Sequence, residues 1–188
     1  MSDLKTKWNC RGLGAFTLVE LMVVVVVIGL LAGIILAAAG GVRNQAARSQ
    51  AKVEIAALDA ALGRFQNDTG TYPDSTTADP ATVQAPSNYQ SGSTTLFTNL
   101  MGRNFYTNVP AAGLKAYLDP KPTMVATNTS SSPNYFTDPW GYPYGYRWDQ
   151  TNSTSTFNKI SPDLWSSGGQ SGTGSQTNRN KWIANWIN

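Results

Sequence analysis

The chain of 188 residues contains no histidine and a single cysteine, Cys10. The first absence removes the usual general base and the commonest zinc ligand, so Ser-His-Asp sites, Cys-His sites and histidine-based zinc centres are excluded. The second leaves no partner for an intrachain disulfide, so a domain sent to an oxidising compartment must be held by packing alone. Charge is scarce as well. Asp, Glu, Lys and Arg make up 13% of the residues and the formal net charge is +3, of which Lys5, Lys7 and Arg11 against Asp3 place +2 before residue 16. What remains is no footprint for nucleic acid. Walker and dinucleotide-binding glycine motifs do not occur. The carboxylates beyond residue 42, Glu54, Asp59, Asp68, Asp74, Asp79, Asp119, Asp138, Asp149 and Asp163, show no paired spacing. An enzyme is not expected.

What the chain does have is a run from Phe16 to Ala39, 24 residues long, interrupted by one charge. At ~1.5 Å per residue a helix of that length reaches ~36 Å, enough to cross a ~30 Å hydrocarbon core with some tilt. The mean hydropathy of -0.26 conceals this segregation, because the chain after residue 42 is rich in Ser, Thr, Asn, Gly and Pro. An ordinary secretory signal has a shorter apolar region ending in a cleavage site, whereas this run leads through Ala38-Ala39-Gly40-Gly41 into a further helical pattern. Lys5, Lys7 and Arg11 favour a cytoplasmic N-terminus, and Arg43 and Arg48 beyond the span argue weakly for the opposite orientation. The one charge in the run is Glu20. A carboxylate at bilayer depth costs at least ~2.5–3.5 kcal/mol, so it should have a partner. A chain cut before Phe16 supplies one, an amine four residues away, within the same copy or from a neighbour.

A short basic leader, a small residue, then Phe16-Thr17-Leu18-Val19-Glu20 and a long apolar helix resembles the prepilin signature of type IV pilins and type II secretion pseudopilins. The resemblance implies cleavage and N-methylation by a membrane-bound prepilin peptidase between Ala15 and Phe16, with Gly14 one step back. Ala15 stands where the family usually has Gly, and cutting after Gly14 instead would move Glu20 out of register. It further implies that Glu20 of one subunit meets the Phe16 amine of the next as the helices assemble into a fibre. The family often has Pro at the position of Ala37; here Gly40-Gly41 is the place where the helix would bend or unwind.

After the span, Ala51, Ile55, Leu58, Leu62 and Phe65 recur at helical spacing, and Asp68-Thr69-Gly70 forms a stop. This stripe is read as the face on which a globular domain packs. Residues 74 to 94 read as a Ser/Thr/Pro/Ala loop too polar and too broken to pack, followed by a short helix from Leu96 to Gly102. Tyr117 to Pro122 reads as a rigid connector, and 128 to 133 as a second loop. Asp138-Pro139-Trp140-Gly141 is a turn feeding a strand in which Tyr142, Tyr144 and Tyr146 alternate onto one face. Bulky aromatics suit the core of a small domain without disulfides. In order along the chain, Thr71-Tyr72-Pro73, Asp138-Pro-Trp-Gly, Asp163-Leu-Trp-Ser166 and Trp182-Ile-Ala-Asn-Trp186 resemble signature elements of the major pseudopilin family. That family holds calcium in the loop between the last two, which here runs between Asp163 and Trp186. From Ser166 to Lys181 the loop contains no carboxylate, with Gln170, Lys181 and Trp182 where acids are usual. No tight calcium site and no other cofactor is expected.

The expected architecture is α+β with a type IV pilin-like fold. A leader covers 1–15, a transmembrane and fibre-core helix 16–41, an amphipathic continuation 42–68, and an exported α+β domain 69–188, in which the helix packs on a small antiparallel sheet. The resemblance implies a structural subunit that polymerises through its N-terminal helix, the major pseudopilin of a type II secretion system, single-pass in the inner membrane with its C-terminal domain periplasmic and then assembled into a periplasmic or extracellular fibre. Its expected partners are copies of itself, the prepilin peptidase, an inner-membrane assembly platform and minor pseudopilins, with no nucleic acid. The rival readings are a type IV pilin for adhesion, motility or DNA uptake, and a membrane-anchored glycan-binding module.

Overall fold

A computed structural model of the chain describes residues 16–82, 85–126, 132–170 and 179–187. It divides into two units, Met1–Arg43 and Asn44–Asn188.

Helix α1, Leu18–Thr69, is the longest element, and its helical hydrogen bonding continues through Gly40-Gly41. Its composition changes along its length. Leu18–Ile35 is an apolar window of mean hydropathy 3.0 with none of its surface buried. In the second unit the same helix turns amphipathic: Ala51, Ile55, Leu58, Ala61 and Leu62 are buried, and half-buried Phe65 meets Tyr117 edge-on at 5.3 Å. The stripe expected from the 3-4 spacing is therefore the core face.

Two small antiparallel sheets contribute to the core cluster on that face. β1 (Val125–Ala126) pairs with β2 (Tyr135–Phe136), and β3 (Gly145–Arg147), β4 (Asp163–Ser166) and β5 (Ile183–Ala184) form the second sheet with β4 in the centre. Helix α2, Gln90–Met101, lies on β2 and β3 and ends at Gly102, whose φ of 60° supplies the left-handed C-terminal residue. The main core joins α1 to Leu96, Phe97, Leu100 and Met101 of α2 and to Phe136, Tyr144, Tyr146 and Leu164. A second cluster gathers Tyr89, Trp165 and Trp182: Tyr89 meets Trp165 edge-on at 5.1 Å, and the two indoles stack at 6.1 Å.

The structure corrects the expected 74–94 loop. Ser75 exchanges both backbone hydrogen bonds with Trp148, Ala78 and Tyr89 are fully buried, and the Arg147 guanidinium donates to the carbonyls of Thr76 and Ala78 at 3.0 and 3.1 Å. α2 begins at Gln90, ahead of Leu96. Its first turn contains Gly92 and Ser93, weak helix formers that read as loop. They are chosen for close approach: a Cβ on Gly92 would meet the Tyr146 carbonyl oxygen at 2.7 Å, and Ser93 donates to the Phe136 carbonyl at 2.6 Å. Packing against the strands overrides propensity. Most of the loop expected at 128–133 falls outside the described residues.

Gly145 shows how tight the junction of the two clusters is. A Cβ there would lie 1.9 Å from the Trp165 ring. Gly145→Ala is expected to destabilise the second unit by about 1–3 kcal/mol through overpacking. Gly63→Ala, in α1 with open space around the added methyl, is expected to stabilise it by about 0.5–1 kcal/mol. Thermal unfolding of the detergent-solubilised chain reads both; two shifts of the same sign would contradict the packing described.

Candidate assembly site

At the head of α1, Thr17 and Glu20 hold each other. The Glu20 carboxylate accepts the Thr17 backbone N–H at 2.9 Å and the Thr17 hydroxyl at 2.8 Å on Oε2, and the Glu20 N–H donates to Thr17 Oγ1 at 3.3 Å. This is the reciprocal capping box of a Thr-x-x-Glu sequence, with Thr17 as N-cap and Glu20 as the third helical residue. The carboxylate also sits at the positive end of the helix dipole. Two otherwise orphaned backbone donors are satisfied, which an apolar environment demands. Oε1 has no partner among the described residues, so the cap leaves one oxygen open to a cation.

Phe16 precedes this cap with its side chain 81% exposed, and every large apolar residue from Leu18 to Ile35 is exposed in the isolated chain. Gly14 and Ala15 lie outside the described residues. The pattern Thr17-x-x-Glu20 was readable in the sequence as a capping box, yet sequence reasoning assigned Glu20 an amine alone and missed Thr17.

Among the described residues, the second unit carries its three buried carboxylates, Glu54, Asp138 and Asp163, in two places. Glu54 on α1 is 8% exposed and accepts the Tyr144 hydroxyl at 2.6 Å and the Gln50 amide at 2.7 Å. Burial and the Glu54 carboxylate push the Tyr144 hydroxyl far above its ordinary range, so it stays a donor. Close by, Asp138 closes the Asp-Pro-Trp-Gly turn. Its Oδ1 accepts the N–H groups of Trp140 and Tyr142 at 3.0 and 2.9 Å, and its Oδ2 accepts the Ser166 hydroxyl at 2.6 Å. The two sequence signatures Asp-Pro-Trp-Gly and Asp-x-Trp-Ser are thus one structural device, joined across 28 residues. Burial raises the Asp138 carboxyl, the three hydrogen bonds oppose this, and the charge on Glu54 raises it further.

Asp163, the first residue of β4, is fully buried, and its two carboxylate oxygens accept the N–H groups of Phe157 and Asn158 at 2.9 and 2.8 Å. Burial raises its carboxyl too, against the same backbone donors. It organises the 155–160 turn, each of its oxygens holding one backbone N–H of that turn. Residues 171–178 of that loop lie outside the described residues. Among the described residues no group of three or more His, Cys, Asp or Glu side chains converges.

No family model matches the chain. It is similar to type II secretion system core protein G of several bacteria. The protein of Pseudomonas aeruginosa is 29% identical over 178 residues, 95% of this chain and 98% of the relative. Those of Klebsiella pneumoniae and Escherichia coli (strain K12) are 36% and 37% identical over 72 and 71 residues, 38% of this chain. These matches span about half the length of the two relatives, 51% and 49%. The chain is pilin-like, with an apolar N-terminal helix, a further helix and small antiparallel sheets, and the relatives bear the name of a secretion-system core protein.

Asp138 also makes stability pH-dependent. Its folded pKa lies above the unfolded value near 3.8, so its charged form costs stability at neutral pH, and that cost disappears as pH falls through the folded value toward 3.8. Asn at this position keeps the acceptor for Trp140 and Tyr142 and offers an amide to Ser166. The melting temperature of Asp138→Asn relative to wild type is therefore expected to be highest at pH 7 and to fall where the wild-type carboxyl takes up its proton on the way down to pH 4. A difference that is flat in pH would refute the burial argument.

Proposed function

We propose that the chain is a single-pass inner-membrane protein that polymerises through its N-terminal helix as the major pseudopilin of a type II secretion system. The observation that carries this reading is the fully exposed apolar window Leu18–Ile35 headed by a capped Glu20. Such a surface is stable in lipid or among copies of itself, and in both settings the isolated acid needs a counter-charge. The relatives named core protein G support the assignment to secretion.

In the proposed cycle the prepilin peptidase cuts between Ala15 and Phe16 and methylates the new amine, with Gly14 and Ala15 offering small side chains at the cut. The membrane-spanning helix then leaves the bilayer into the core of a homopolymer, helped by an inner-membrane platform and minor pseudopilins. Glu20 keeps its cap to Thr17 through Oε2 and takes the Phe16 amine of a neighbour on Oε1. Low dielectric strengthens that ion pair and sets the register. The site holds no cofactor and no tightly bound calcium in this reading, and the chain catalyses nothing.

Glu20→Gln separates capping from charge, because Gln preserves the acceptor of a capping box and removes the anion. The expected outcome is a mature N-terminus at methylated Phe16 by mass spectrometry, normal membrane insertion, and a fibre yield lower by about tenfold or more. Normal fibres from this variant, or wild-type fibres still bearing residues 1–15, would refute the mechanism. Surface filaments that retract would move the assignment to a type IV pilin. Calcium is expected to leave the melting temperature unchanged; a rise that Asp163→Ala abolishes would establish a site.

A further inference from the structure

Arg43 and Arg48 sit on the side of the span where the orientation rule does not want cations, and the fibre mechanism gives them no task. Their surroundings do. From Leu21 to Val53 the chain has no acid and carries Arg43, Arg48 and Lys52, and from Leu164 to the last residue it has no acid and carries Arg179 and Lys181. The fold of the second unit brings the two acid-free segments together: Arg48 Nη1 donates to the Lys181 carbonyl at 2.9 Å. Beside this contact lies an open groove of about 440 Å³. Arg48 and Lys52 stand on one wall, Ile55, Trp182 and Ile187 provide apolar surface, and Asp59, at the far end, is engaged by the Asn185 amide at 3.1 Å. Arg179 is held elsewhere, donating to the Ala81 carbonyl and lying over the Phe157 ring.

We propose that this groove docks the headgroup of an anionic phospholipid while the subunit is still anchored in the bilayer. The inference rests on the membrane-anchor reading above. Cations over an apolar floor match a phosphate carried on a glycerol and acyl stem. Arg48 follows the end of the apolar run at Ala39 by only nine residues of chain. A second copy of the chain is a poorer occupant. Among the described residues of the second unit, exposed Asp68 is ion-paired with Lys115, exposed Asp59 and Asp74 accept the Asn185 amide and the Gln150 N–H, Asp79 and Asp149 are half-buried, and Asp119 alone is exposed without a partner. Docking gives cations beyond the span a role compatible with an exported domain: they hold the second unit to its own leaflet until the helix is extracted.

The test places the full chain at one copy per nanodisc, in phosphatidylcholine alone or with about one third phosphatidylglycerol, and follows hydrogen exchange of peptides covering 46–56 and 179–187. Exchange in both is expected to slow about tenfold in the anionic discs, and to return to the neutral-disc rate in high salt and in Lys52→Gln/Lys181→Gln. Both lysines are exposed, and near-ultraviolet circular dichroism of the Trp165–Trp182 stack checks that the variant is folded. Equal rates in the two discs overturn the proposal. So does slowing that inorganic phosphate reproduces in neutral discs, which makes the groove a free-anion site, or slowing that needs two copies per disc, which makes it a subunit contact. Residues 18–35 report the anchor separately: protection there with no headgroup effect defeats this inference alone, and no protection there defeats the anchor reading and this inference with it.

Discussion

A helix surface that its own chain never covers governs this molecule. Leu18–Ile35 has mean hydropathy 3.0 and no buried area, and at ~25 cal/mol per Å² of apolar surface such a segment is untenable in water. Lipid or identical neighbours must cover it, and moving from one to the other changes little in the apolar energy because both environments are equally dry. Polar interactions therefore decide which arrangement is adopted. The Thr17–Glu20 box satisfies the backbone at the helix head without using up the carboxylate, so the same residue ends the helix cleanly and still offers a charge to an incoming partner.

Beyond the span the same helix becomes the spine of a domain that has no disulfide and little charge. It compensates with aromatics: Tyr89, Tyr144, Tyr146, Phe97, Phe136 and Trp165 are all fully buried. Two of the buried hydroxyls are tied down, Tyr144 to Glu54 and Tyr146 to the Pro73 carbonyl, both at 2.6 Å. Such pairs convert bulky hydrophobes into positional restraints. Asp138 and Asp163 do the same for the backbone, each drawing several donors into a buried turn that would otherwise have unsatisfied N–H groups.

The elements legible in the sequence are those encoded by short-range pattern. The 3-4 spacing of Ala51, Ile55, Leu58 and Leu62 marked the core face of α1, Gly102 marked the end of α2, and Asp138-Pro-Trp-Gly marked a turn. The 74–94 segment was misread because Gly92 and Ser93 look like loop residues by propensity, and their purpose, close contact with Tyr146 and Phe136, lies some 43 to 54 residues away. Of the assembly site, the acid and its place at the helix head were legible; the competing claim of Thr17 on it was encoded in Thr-x-x-Glu and became evident once the geometry showed both directions of the bond.

Sequence alone determined that one stretch is too apolar for water, that a lone acid heads it, and that histidine-based sites and an intrachain disulfide are excluded, because composition and period need no partner to be read. Tertiary structure decided everything that depends on residues meeting from afar. It joined Asp138 to Ser166, set Gly145 beneath Trp165, turned both oxygens of Asp163 inward, and brought Lys181 to Arg48 across 133 residues. No local pattern specifies those meetings; they arise when α1, α2 and the two sheets bury a shared core.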